Sequence, residues 1–73
     1  MKVRNIGSNQ TEVEANGKMI LVSYQTPVAC QIEGEGFYRT SKKWSVTTSK
    51  HINKWLNGAK ATEKAQDYFD NLL

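Results

Sequence analysis

Between Phe37 and His51 the chain interleaves cations, hydroxyls and aromatics in the order Phe37-Tyr38-Arg39-Thr40-Ser41-Lys42-Lys43-Trp44-Ser45-Val46-Thr47-Thr48-Ser49-Lys50-His51. Recognition of phosphate uses these groups: lysine and arginine supply charge and release counterions, while serine and threonine supply hydrogen bonds. Backbone amides at the start of a helix also point outward toward an anion, and Thr47 to Lys50 stand where such a helix is predicted to begin. Tyr38 and Trp44 are flat enough to stack on unpaired bases. The candidate contact residues are therefore Arg39, Lys42, Lys43, Trp44, Thr48, Lys50, His51 and, one turn further on, Lys54. A plainer reading of the same residues is a solvated basic face with Trp44 and Phe37 in the core.

Charge segregation is the reason to prefer a contact surface. Residues 37 to 60 hold six cations (Arg39, Lys42, Lys43, Lys50, Lys54, Lys60) and no carboxylate, whereas the rest of the chain sets four cations against seven carboxylates. The overall charge of +3 thus conceals a basic middle and an acidic remainder. A positive field of this kind meets either nucleic acid or the acidic surface of another protein, and screening by salt weakens both.

Other chemistries have less to stand on. One histidine, His51, and one cysteine, Cys30, fall short of the four ligands of a structural zinc, so no metal and no cofactor is expected. Cys30 with His51 and Asn53 has the residue types of a thiol nucleophile set, but Cys30 falls on the inward face of a predicted strand, where a free thiol is packing. Glu12 and Glu14 share a strand face, and Glu33 and Glu35 lie around a turn. Such pairs run acid–base chemistry only in a pocket that desolvates one of them, and here they read as solvent faces and edge protection. Gly34-Glu35-Gly36 lacks a third glycine and opens no helix, so it is no phosphate loop. His51 is expected on the helix surface, and no catalytic residue is assigned.

These residues must be positioned by one domain spanning 1–73, because so short a chain buries only about 60% of its unfolded surface and has no room for a second core. The expected fold is α+β: an antiparallel sheet of three or four strands over about 1–44, then helices over about 47–57 and 61–72 packed on one face. Asn16-Gly17 offers a two-residue hairpin turn between strands. Val28, Cys30 and Ile32 recur at period two on one face of a third strand, and Phe37 to Thr40 can pair back as a fourth. Ile52, Trp55 and Leu56 then switch to helical spacing, with Asn57-Gly58 as the stop. Thr62 reads as the cap of the second helix, with Glu63 on its dipole and Ala65, Tyr68, Phe69 and Leu72 as the apolar stripe. Trp55, Leu56, Tyr68, Phe69 and Leu72 are expected in the common core, and an exposed part of the C-terminal stripe would support a homodimer. The lone cysteine favours a reducing compartment, and the N-terminal stretch and the short run Met19-Ile20-Leu21-Val22 indicate neither a signal peptide nor a membrane span.

The string Val22-Ser23-Tyr24-Gln25-Thr26-Pro27-Val28-Ala29, followed by Tyr38-Arg39-Thr40 and by Lys43-Trp44-Ser45-Val46-Thr47-Thr48-Ser49-Lys50-His51-Ile52-Asn53-Lys54-Trp55-Leu56, resembles a family of small tailed-phage proteins of uncharacterised function. The resemblance spans roughly residues 11–58 and has no catalytic motif attached. It implies the cytoplasm of an infected bacterium and action by stoichiometric binding. Three functional readings follow: an accessory binder of nucleic acid through its basic surface, an inhibitor of a host nucleic-acid enzyme or defence complex using that surface or a sheet edge, and a minor virion or assembly component.

Overall fold

A computed structural model describes all residues 1–73. Strands β1 (Lys2–Gly7), β2 (Gln10–Ala15), β3 (Lys18–Ser23), β4 (Thr26–Ile32) and β5 (Gly36–Thr40) form an antiparallel meander, each hydrogen-bonded to the next. Asn16 and Gly17 take φ of 51° and 76°, the left-handed conformations that a two-residue hairpin requires. Helix α1 (Val46–Leu56) leaves the end of β5 and returns the chain to β6 (Ala61–Lys64), which pairs parallel to β5. A parallel neighbour needs such a crossover, and α1 is its helix. Helix α2 (Gln66–Asp70) closes the chain.

The sheet has six strands, which corrects the three or four expected. Both unforeseen strands are edges. Lys2 to Gly7 pairs with β2, bringing Val3 opposite Val13 and Arg4 opposite Glu12. Ala61 to Lys64, expected to begin the second helix, instead aligns Tyr38 with Thr62 and Arg39 with Glu63. The backbone amides that Thr62 was expected to cap are spent on a ladder with β5, so α2 starts five residues late, at Gln66, with no side-chain cap.

The two helices also lie on opposite faces, so the expectation that both cover one face fails. On one side Leu21, Val28 and Ala29 pack with Ile52 and Leu56 of α1, flanked by Phe37 and Trp55. On the other, Val13, Ile20 and Cys30 pack around Phe69, with Tyr38, Tyr68 and Leu72 at the margin. Strand β6 explains the division, since the chain enters the sheet plane from α1 and leaves it again before α2. Trp55 and Leu56 are therefore separated by the sheet from Tyr68, Phe69 and Leu72.

A register shift in β4 changes one further expectation. Leu21 pairs with Ala29 but Val22 pairs with Pro27, so Val28 is an extra residue. It turns to the α1 side beside Ala29, and only Cys30 and Ile32 keep to the α2 side. No helix is long and apolar enough to cross a membrane.

Candidate nucleic-acid interface

Strand β5 delivers Arg39 to the sheet face beneath α1, where its Nη1 donates to Asn53 Oδ1 at 3.2 Å. Its Nε is buried and has no hydrogen-bond partner. Beyond Thr40 the chain turns outward through Lys42 and Lys43 and re-enters α1 at Ser45, whose Oγ accepts from the Thr48 amide at 3.2 Å. Arg39, Lys42, Lys43 and Ser49 thereby line a groove of about 390 Å³, with Trp44 as one wall and Glu63 across from Arg39. The first turn of α1 carries no carboxylate that would oppose an anion. The only ion pair in the molecule joins Arg4 to Glu12, so Glu63 shares the groove without a direct ion pair to any of its cations.

Trp44 is held in place by its edge. Its Nε1 donates to Gln66 Oε1 at 3.1 Å, and the same oxygen accepts from Thr40 Oγ1 at 2.8 Å. Gln66 Nε2 in turn donates to the Pro27 carbonyl at 2.7 Å, which ties the indole to β4, β5 and α2 together. The Lys42 ammonium sits 4.3 Å from the Trp44 ring centroid, a cation–π contact. The residue is 36% exposed and stands at the surface, outside both core clusters.

The other candidate residues divide. Thr48 and His51 are buried, which corrects the expectation that His51 lies on the helix surface. Ser23 Oγ is 2.8 Å from His51 Nδ1 and 3.1 Å from Thr48 Oγ1, so these side chains satisfy one another beneath α1. Lys50 and Lys54 are exposed, one helical turn apart on the side of α1 opposite its buried stripe. Lys60 is exposed in the connection to β6. The six cations are thus not one cluster: Arg39, Lys42 and Lys43 share the groove, and Lys50 and Lys54 form a separate ridge on α1.

Sequence reasoning missed two residues. Tyr24 is 51% exposed and, together with Trp44, lines a second hollow of about 220 Å³ that also includes Thr26 and Ser45. Its φ of 58° is the one left-handed backbone that belongs neither to glycine nor to asparagine, a signal visible only once the turn is known. Glu12, expected on a solvent face, is buried, bonded to Arg4 and accepting from Trp55 Nε1 at 2.7 Å. Burial by itself would raise its pKa, but the hydrogen bonds from Arg4 and Trp55 and the charge of Arg4 outweigh it and hold the carboxyl below its ordinary value. Nothing in its alternation with Val13 and Ala15 announces this.

Cys30 is fully buried, and burial pushes its thiol up to about 11, where thiolate is scarce at neutral pH. No group of three or more His, Cys, Asp or Glu side chains is placed to hold a metal ion. A third hollow, of about 530 Å³ at the tip of the β2–β3 hairpin, mixes Glu14 and Glu33 with Lys2 and Lys18 and offers no single sign of charge.

Among known families, a model described as a family of unknown function (DUF8033) matches residues 1–71. No curated protein and no solved structure matches the chain.

Proposed function

The chain belongs to that family of unknown function, and from its own geometry we propose that it is a non-catalytic binding protein that contacts nucleic acid through the groove beside α1. The observation that carries this reading is that Arg39, Lys42 and Lys43 share one groove without an ion pair to any carboxylate, Glu63 included, with a buried Arg39 Nε lacking any acceptor. A buried donor without a partner costs about 1–3 kcal/mol, and an anionic oxygen entering the groove would recover it. Lys42 and Lys43 gain by releasing the counterions of a phosphate backbone. Lys50 and Lys54 extend the positive surface along α1 and would meet a neighbouring stretch of backbone. The setting we propose is the one the phage resemblance implies, the cytoplasm of an infected bacterium, although the groove chemistry does not depend on it.

A second reading has its own observation. Strand β1 is a sheet edge on which Val3 is 61% and Ile6 39% exposed, a surface on which a partner protein could add a strand. Capture from a bacterial lysate with and without nuclease separates the two. Under the favoured reading, DNA or RNA is recovered and nuclease removes whatever came with it. A single protein retained after nuclease and lost on adding charge at Val3 would replace that reading with the second. Binding to labelled DNA and RNA strands gives the direct test: Arg39→Ala, Lys42→Ala and Lys43→Ala should each weaken binding with little dependence on sequence.

A further inference from the structure

The cationic groove and the Tyr24 hollow share a wall. Trp44 lines both, with its edge pinned by Gln66 and Lys42 over its ring. At about 220 Å³ the second hollow is smaller than the roughly 300–1,000 Å³ that holds a whole small-molecule ligand. It has room for one flat ring, and whatever that ring is attached to must lie outside it.

Tyr24 supplies the independent observation. Asn9, Asn16 and Asn57 occupy the other left-handed non-glycine positions, where asparagine is the residue that tolerates them. A tyrosine in that conformation is strained, and strain of this kind persists only where the surrounding structure enforces it and clusters at functional sites. The backbone is held there by the Tyr24 amide, which donates to the Asn9 carbonyl at 2.8 Å, and the ring lies 5.9 Å from that of His51. The His51 ring is in turn fixed by Ser23. Two partly exposed aromatic side chains thus line one small hollow, Trp44 held by its edge and Tyr24 beside His51, with the cations of the neighbouring groove on the other side of Trp44.

We propose that the Tyr24–Trp44 hollow holds one unpaired nucleobase while Arg39, Lys42 and Lys43 take the adjoining phosphates, so that the ligand is single-stranded. The inference rests on the nucleic-acid reading above and sharpens it. A base in a duplex is already stacked on both faces and paired along one edge, and cannot enter a hollow lined by Tyr24 and Trp44, whereas an extruded or unpaired base has its faces free for aromatic contact. Thr26 and Ser45 in the lining add hydroxyls and no lining residue is charged, so the hollow accepts bases with little discrimination.

The test compares three fluorescently labelled ligands at one salt concentration: an oligothymidylate, an abasic strand with the same number of phosphates, and a duplex of equal length. The proposal expects the oligothymidylate to bind about 5- to 150-fold more tightly than the abasic strand, the range that stacking one base supplies. Tyr24→Asn should remove most of that difference and leave abasic binding unchanged, while Lys42→Ala with Lys43→Ala weakens all three ligands. Thermal unfolding of Tyr24→Asn checks that the fold is intact, and the fluorescence of Trp44, read in a Trp55→Phe background, should change more with the oligothymidylate than with the abasic strand, whose phosphates reach only the Lys42 that rests on the indole. Equal binding of thymidylate and abasic strands would overturn the base hollow while leaving phosphate contact standing. Tighter binding of the duplex would do the same. Binding of none of the three would remove both the hollow and the reading beneath it.

Discussion

At the scale of single residues, Glu12 is the most informative side chain outside the groove. It fastens the edge strand β1, through Arg4, and helix α1, through Trp55, to the middle of the sheet. Its carboxyl is held below the ordinary value of 4.5, so the stability it contributes is complete above that pH and is lost as the pH falls through the depressed value. Glu12→Gln keeps the shape but weakens the acceptor, and should cost about 1–3 kcal/mol in urea melts at neutral pH. The two proteins should converge when the melts are repeated well below pH 4.5, and a constant gap would mean that the charge is irrelevant. Tyr24 makes the opposite case. Replacing it by asparagine removes a left-handed cost of about 1–2 kcal/mol per residue against the loss of a half-exposed ring, so the melting temperature should hold or rise. A clear fall would show that the ring is structural.

Residue types told part of this in advance. The cations that line the groove were readable from their clustering between positions 37 and 60. The burial of His51 and Thr48 was not, because a histidine on a short helix has no pattern that distinguishes a surface position from one bonded to Ser23, 28 residues away in the chain.

At the scale of elements, local signals succeeded where the structure they specify is local. Asn16-Gly17 made its hairpin, and Asn57, at φ 48° with its amide donating to the Asn53 carbonyl, ended α1. They failed at β6, whose Thr62-Glu63 looks like a helix start and is held instead by parallel pairing to a strand more than twenty residues earlier. The same pairing sends α2 to the face away from α1. A helix of five residues without a side-chain cap has no stability of its own, so α2 is held by what it buries. Phe69 is fully buried between Val13, Ile20 and Cys30. Phe69→Ala should cost about 3–5 kcal/mol, enough to unfold much of a domain this small, whereas Phe69→Leu should be clearly milder. Similar losses in the two variants would indicate that α2 is dispensable. Ser45→Ala removes the cap of α1 and should cost about 0.5–2 kcal/mol by the same measurement.

For the whole molecule, a sheet covered on both faces by very little helix leaves the cationic groove at one end, where β5, the following loop and the start of α1 meet. The charge pattern reads as one field what the fold divides into a groove and a ridge. The direction of a side chain around α1 depends on which stripe faces the sheet, and the crossover to β6 settles that. The division has a consequence for binding: phosphate contacts should be lost in two separable groups, with Lys42 and Lys43 in one and Lys50 and Lys54 in the other. Lys50→Ala with Lys54→Ala should weaken binding without altering the preference for a strand that carries bases.

The most direct measurement of the central claim is the dependence of strand binding on salt. Plotting the logarithm of the binding constant for a DNA or RNA strand against that of salt concentration should give a straight line, and Lys42→Ala with Lys43→Ala should lower the slope by about 1–2 while the protein stays folded. An unchanged slope, or no binding at low salt, would contradict it.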